Sequence, residues 1–164
     1  MKRALVLGIG GQDGSYLAEI LLDKGHEVHG LYRRSSVDNL WRIGKIRDRI
    51  NLHRGDMADP VSIQRVVEDV DPELIFNEAD QDDINWSRSI VGYSMDITAS
   101  AVARTLETVR RHNPAIRFFQ PVSAMMFQPG RHPRMDEHTP IEPRSPFACA
   151  KAAAYYLCRH YRRE

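Results

Sequence analysis

Two short stretches place reactive residue types at spacings that suit chemistry. Residues 8–14 read GIGGQDG, with Gly8, Gly11 and Gly14 three apart. Residues 144–151 read RSPFACAK, with Lys151 four places after the aromatic Phe147. Glycines in that pattern, after a strand and at the opening of a helix, permit a tight turn and let backbone N–H groups approach a pyrophosphate, while the helix start adds positive potential. A glycine triplet also serves as a purely structural turn, so the inference rests on the strand and helix around it. An aromatic residue one helical turn before a lysine is where a hydride-transfer enzyme keeps a tyrosine acid/base. Position 147 has the ring and lacks the hydroxyl.

Further candidates for a dinucleotide follow along the chain. Gln12 and Asp13 lie inside the glycine turn and join the cofactor set. The end of the second expected strand reads YRRSS. An acidic residue there would hold the 2′-hydroxyl of NAD; Arg33 and Arg34 suit the 2′-phosphate of NADP through charge-assisted bonds, with Ser35 or Ser36 adding a hydroxyl donor. The bland alternative is a solvated basic loop. In HRGDMAD, Asp56 is placed to meet an adenine edge and Met57 to pack on the ring; the alternative is an Asp that caps the next helix.

The elements that must position these residues alternate between strand and helix. Strands are expected at 3–8, 27–32, 51–54, 73–77 and 115–122. Helices are expected at 14–24 and 60–70, in a long segment ending near His112, and from Ser145 or Pro146 to the end of the chain. Leu17, Ile20 and Leu21, and then Val66, Val67 and Val70, recur with helical spacing. Pro60 suits a first helical turn and Gly25 a helix end. Such alternation predicts an α/β fold with a parallel sheet in one doubly wound domain over 1–164; taken with the glycine turn, the expectation is a Rossmann-type NAD(P)-binding domain with strand order 3-2-1-4-5.

Composition sets outer bounds. The chain has 164 residues, 23 Lys and Arg against 22 Asp and Glu, and 42% hydrophobic residues. A net charge of +1 calls for neither nucleic acid nor membrane as a partner. The opening MKRALVLGIGG has too short an apolar run for a secretion signal or a membrane span, and a cytoplasmic location is expected. Cys149 and Cys158, nine apart in one helical segment, suit neither a disulfide nor a metal and are expected as reduced, partly buried thiols. His132 and His138 have no zinc spacing and are expected in a surface loop; no metal site is expected. The basic RRHNPAIR and CRHYRRE segments suit helix ends that complement the macrodipole.

The stretch LGIGGQDGSYLAEILLDKGHEVHGLYRRSS resembles the opening of the GDP-mannose 4,6-dehydratases, members of the extended short-chain dehydrogenase/reductase family. GDMAD and PRSPFACAK fall where that family has its adenine-contact and Tyr-x-x-x-Lys segments. The likeness runs through nearly the whole chain but covers only about the first half of a family member, without the C-terminal substrate lobe. It implies a tightly held NADP, a GDP-sugar nucleotide as ligand, hydride removal from sugar C4, loss of the C5 proton as water leaves C6, and hydride return to C6. That cycle requires a Tyr assisted by a Lys, a hydroxyl donor and an eliminating carboxylate.

Set against that pattern, Ser123 keeps the hydroxyl and Lys151 keeps the ammonium, which also serves the cofactor. Met125 stands where the resemblance puts the carboxylate, and Phe147 where it puts the Tyr. Neither a thioether nor a benzene ring exchanges a proton at neutral pH. Tyr155 lies two turns past Phe147, roughly 12 Å along a helix, and cannot take its place. After the fourth strand Asn77 is retained, but Glu78, Asp80, Asp82 and Asp83 follow, either as a solvated acidic loop or as charges facing a pocket. Thr98 takes the place of a family Asn. The expectation is an NADP-binding module with impaired or absent dehydratase chemistry. The alternatives are a working dehydratase or oxidoreductase of altered chemistry, and a nucleotide-free interaction module. Helices carrying Ala99, Ala101, Val102, Ala103 and Ala152 to Tyr155 suggest a homodimer or larger assembly.

Overall fold

The computed structural model describes residues 1–127, 130 and 134–164, which fall into two compact units. The first holds Met1–Asp80 and Arg104–Gln120; the second holds Gln81–Ala103 and Pro121–Glu164.

The first unit is built on five parallel strands: β1 (Arg3–Leu7), β2 (Glu27–Tyr32), β3 (Ile50–Arg54), β4 (Leu74–Asn77) and β5 (Arg117–Phe119). Their order is β3-β2-β1-β4-β5, as expected. Central β1 pairs with β2, Leu7 opposite Leu31, and with β4, Leu7 opposite Asn77. Its Ala4, Leu5, Val6 and Leu7 are fully buried, the near-continuous apolar run of a strand covered on both faces. Burying one such Leu or Val contributes about 1.5–3 kcal/mol. β5 is shorter than expected, three residues instead of a run over 115–122.

Helix α1 (Gln12–Asp23) follows β1 and buries Gly14, Ser15, Ala18 and Leu21. Ile20, expected on the inner face, is 51% exposed: the helix lies close to the sheet along its small residues, which turns Ile20 outward. Lys24 caps its end, and Gly25 follows at φ 77°, the conformation glycine adopts most readily. Two 3₁₀ turns, Trp41–Ile43 and Arg47–Arg49, connect β2 to β3. There Leu40, Ile43 and Ile46 join the core formed by Ala4, Val6, Ile9 and Ala18. Helix α2 (Pro60–Val70) starts with Pro at its first position and buries Ile63, Val66, Val67 and Val70. Asp59, not Asp56, caps α2, its carboxylate accepting from Val61 N at 3.0 Å.

The segment expected as one long helix before β5 is broken. It contains α3 (Ile84–Ser87), α4 (Val91–Met95), a π-turn at Asp96–Ser100 and α5 (Ala101–His112). Ile90, at φ −127° and ψ 48°, leaves the helical region and separates α3 from α4. In the second unit α6 (Pro146–Arg163) packs on α3, α4, the π-turn and a 3₁₀ turn at Ala124–Phe127. Ser145 caps α6, its Oγ accepting from Ala148 N at 3.1 Å, with Pro146 at the first position.

Candidate functional site

The glycine turn in the first unit is shaped by its own backbone. Gly8 sits at φ 78°, and a side chain there would meet Ala79 N and Cα at 2.8 Å. Gly8 N donates to Leu31 O at 3.0 Å and Gly11 N to Gly8 O at 2.9 Å, closing the turn. A Cβ on Gly14 would lie 2.6 Å from Gly8 O, so the helix start approaches the strand end only because residue 14 is glycine. Gly11 stands at the N-terminus of α1, and no side chain caps it. Gly11, Gln12 and Asp13 are exposed. The first-turn N–H groups of a helix have no intrahelical acceptor, so this uncapped, exposed start fits a pyrophosphate.

Beyond β2, Arg33, Arg34, Ser35 and Ser36 are all exposed. Asn39, which spacing alone does not single out, donates from Nδ2 to Arg33 O at 3.1 Å. Arg42 donates from Nη1 to Gly10 O at 3.3 Å, and its guanidinium lies 4.5 Å from the centre of the Trp41 ring. Anchored by buried Leu40 and Ile43, this loop holds basic groups beside the glycine turn. Exposed arginines on this loop, with Arg42 reaching the glycine turn, are donors of the kind that suits a phosphorylated dinucleotide.

Past β3, the Asp56 carboxylate accepts from Ala58 N at 2.9 Å, and Asp56 N donates to Ser62 Oγ at 3.0 Å. Met57 is 6% exposed, and its carbonyl accepts from Arg104 Nη2 at 2.8 Å. Its side chain packs in the protein rather than standing as an open shelf. After β4, Asn77 is buried and donates from Nδ2 to Gln120 Oε1 at 2.7 Å, while its Oδ1 accepts from Ala79 N at 3.3 Å. Glu78 and Asp80 are half-buried.

The second unit holds the other chemistry-bearing residues. Ser123 is half-buried; its Oγ accepts from Met125 N at 3.2 Å and its carbonyl from Met126 N at 3.1 Å. Met125 is half-buried in the 3₁₀ turn that follows. Phe147 and Lys151 are each 5% exposed, one turn apart on the same face of α6. Lys151 Nζ donates to Pro121 O at 3.2 Å and lies 5.7 Å from the centre of the Phe147 ring. The ammonium therefore stands over an aromatic face where a phenol would have offered an exchangeable proton. Phe147 N donates to Ser87 Oγ at 3.3 Å, tying the first turn of α6 to α3. Tyr155, half-buried, stacks edge-on with exposed Tyr156 and carries Arg159 over its ring at 5.5 Å.

The remaining sequence expectations separate here. Asp83 caps α3, its carboxylate accepting from Trp86 N at 2.8 Å, and Asp82 is exposed. Thr98 is buried in the π-turn. Cys149 is exposed rather than partly buried, because its helix position points away from the face carrying Phe147 and Lys151. Cys158 is half-buried, and burial pushes its thiol above the usual range against the opposing pull of Arg162. Asp136 accepts from His138 N at 2.9 Å, so His138 belongs to an exposed turn. The His138 and Thr139 bonds hold the Asp136 carboxyl below its usual range. His132 lies outside the described residues. Among the described residues, no group of three His, Cys, Asp or Glu is placed to hold a metal, and no helix is long and apolar enough to cross a membrane.

Comparison with known proteins covers the whole of this geometry. A family model for GDP-mannose 4,6 dehydratase matches residues 5–164. GDP-mannose 4,6 dehydratase 1 of Arabidopsis thaliana is 42% identical over 173 residues, spanning 98% of this chain and 48% of that protein. GDP-mannose 4,6-dehydratase of Yersinia enterocolitica is 39% identical, spanning 99% of this chain and 46% of that protein. The chain thus spans about half the length of the curated relatives it matches. In fold it is similar to the UDP-Glc/GlcNAc 4-epimerase from Campylobacter jejuni, with TM-score 0.90 at 17% identity over 98% of this chain and 49% of that one. It is also similar to the dTDP-glucose 4,6-dehydratase from Bacillus anthracis solved with NAD, with TM-score 0.84 at 23% identity over 99% of this chain and 51% of that one. The parallel sheet in the order 3-2-1-4-5, the glycine turn on β1 and a family match running nearly end to end lead to one conclusion: this chain belongs to the GDP-mannose 4,6-dehydratase family.

Proposed function

We propose that this chain is the NADP-binding, N-terminal part of a GDP-mannose 4,6-dehydratase-like protein in which sugar conversion is impaired or absent. The observation that carries the reading is Phe147: a buried benzene ring lies against the Lys151 ammonium where the family pattern calls for an acid. In the first unit, the N–H groups at the start of α1 would hold the pyrophosphate, and Gln12 and Asp13 would line it. Arg33, Arg34 and Ser35 would hold the 2′-phosphate, and Asp56 the adenine end, with the buried Met57 side chain left out of the contact. The uncapped α1 start and the exposed arginines support that assignment. The dehydratase from Bacillus anthracis was solved with NAD, which supports a nicotinamide dinucleotide here; the choice of NADP rests on the two arginines.

When bound, the dinucleotide supplies a hydride acceptor. The chain's own residues must supply proton handling, and there the set is incomplete. Ser123 presents a hydroxyl, and Lys151 a positive charge fixed by Pro121 O. Met125 cannot remove a C5 proton, and Phe147 cannot accept one from a sugar hydroxyl. Positioned acid and base groups each contribute about 10²–10⁴ in rate, so losing both leaves nucleotide capture without effective turnover.

The test is a fluorescence titration with NADPH and, separately, NADH, and then, on a fresh sample loaded with the oxidised cofactor NADP+, addition of GDP-mannose and assay for a 4-keto product. NADPH binding tighter than NADH with no product is the expected result. Product at an ordinary enzymatic rate would overturn the impaired-catalysis reading, and equal affinity for the two cofactors would overturn the NADP assignment.

A further inference from the structure

Three titratable side chains on the β2–β3 side of the sheet form a hydrogen-bonded chain that the dinucleotide reading leaves unused. Glu27 and His29 belong to β2, and His53 to β3. His29 Nε2 lies 3.1 Å from Glu27 Oε1, and His29 Nδ1 lies 3.0 Å from His53 Nε2. The two rings stack with centroids 5.2 Å apart and 23° between planes. In the parallel register His29 is opposite Asn51 and His53 opposite Leu31, so the histidines stand diagonally on one face.

A bond between two imidazole nitrogens needs one N–H and one lone pair. With both rings neutral, His29 donates from Nε2 to Glu27, and its bare Nδ1 accepts from His53 Nε2. One extra proton also fits: His29 donates from both nitrogens, and His53 presents a bare Nε2 by carrying its own proton on Nδ1. A second extra proton does not fit, because both facing nitrogens then bear hydrogen and two cations are in contact. The charged groups acting on the pair are Glu27 on β2 and Asp69 on α2. On the sheet, the residues opposite are uncharged: Leu5 on β1 faces His29, as does Asn51, and Leu31 faces His53. Burial first, and His29 second, hold His53 below the ordinary imidazole range, with Asp69 pulling the other way.

His53 lies just before the turn that carries Asp56 and Met57. Gly55 N in that turn donates to Tyr32 O at 3.0 Å, joining it to the strand end that leads into Arg33. We propose that His29 and His53 are positioning residues for the adenine end of the dinucleotide: sharing at most one extra proton they clasp β3 to β2, and a second proton releases the clasp and weakens cofactor binding. This rests on the dinucleotide reading given above.

The sign follows from proton linkage. A pair that binds its last proton poorly when folded and clasped favours the clasped state at higher pH, and that advantage is lost as pH falls below the ordinary imidazole value of about 6.5. The experiment uses the full chain. NADPH affinity is measured from about pH 8 to about pH 5 for the wild type and for His53→Gln, whose amide still donates to His29 Nδ1 but takes up no proton. The cofactor's own phosphate titrates near pH 6, so the comparison between the two proteins carries the test. The wild type should lose on the order of tenfold more affinity than His53→Gln over that range, within the tenfold per pH unit that one linked proton allows. Identical profiles would overturn the proposal. Histidine ring and Gly55 amide resonances, followed by NMR over the same range without ligand, give a second readout. Two separated proton-uptake steps, with the Gly55 amide shifting at the more acidic one, support the clasp. A single shared step, or an unmoved Gly55, refutes it. If no dinucleotide binds at any pH, the cofactor assignment and this inference about affinity both fail, while the NMR result still decides whether the clasp exists.

Discussion

At position 147 the difference between a phenyl and a phenol ring is one oxygen, and on that oxygen the chemistry of the family pattern turns. The environment of Phe147 is intact: the residue is buried, its N–H is held by Ser87 Oγ, and the Lys151 ammonium lies over its ring. Phe147 therefore serves packing, and Phe147→Ala should cost about 3–5 kcal/mol, read from the urea midpoint. Restoring the missing groups is a separate question. Phe147→Tyr with Met125→Glu returns an acid and a base, yet little 4-keto product is expected from this chain, because placing the sugar nucleotide is an independent requirement. Turnover of GDP-mannose at an ordinary rate by the double variant would contradict this.

Among the elements, the end of α2 shows how one residue ties three of them together, α2, β1 and α5. Asp71 caps α2 at φ 43° and ψ 62°, a left-handed conformation that Asp and Asn tolerate better than most side chains. Its carboxylate accepts from Arg3 Nη2 on β1 at 2.9 Å and lies 3.0 Å from His112 Nε2 at the end of α5. The His112 bond, then those from Arg3, hold its carboxyl below the usual range. A carboxyl depressed in the folded state contributes stability above its unfolded value of about 4, and that contribution disappears as pH falls through the lowered folded value. Asp71→Asn keeps the backbone conformation and removes the charge. Thermal melts of the variant should therefore vary less with pH over this acidic range than those of the wild type; equal slopes would show that Asp71 contributes nothing to acid sensitivity.

For the chain as a whole, a bound dinucleotide would add to the stability of the folded state. If NADPH is the ligand, a concentration of 100 times its Kd stabilises the folded state by about 2.7 kcal/mol. For a chain of this size that corresponds to a rise in Tm of roughly 5–11 °C. A calorimetric scan with NADPH that showed no rise would remove the cofactor from the account. Assembly is tested by light scattering, where a homodimer or larger species is expected; of the apolar residues that suggest it, Ala99, Ala101, Val102, Ala152 and Ala154 are buried within the chain, which leaves Ala103, Ala153 and Tyr155 partly open to a partner. A monomer at all concentrations would refute that expectation.

Much of the architecture was legible in the linear order of residues, because it depends on near neighbours along the chain. The apolar run of β1, the glycine turn, Pro60 at the start of α2, Gly25 after α1 and Ser145 ahead of α6 are local signals, and each stands where its chemistry places it. That the sheet is parallel was legible in the alternation of strand and helix, and the order β3-β2-β1-β4-β5 was expected from the glycine turn that marks the dinucleotide-binding topology. What required three dimensions is whatever depends on partners distant in sequence. The break at Ile90 and the π-turn follow no local signal, and neither does the exposure of Ile20. Asp59 rather than Asp56 caps α2 because only its carboxylate reaches Val61 N. His29 and His53, 24 positions apart, meet only because β2 and β3 pair in one register; a shift by a single residue would turn the two rings to opposite faces of the sheet.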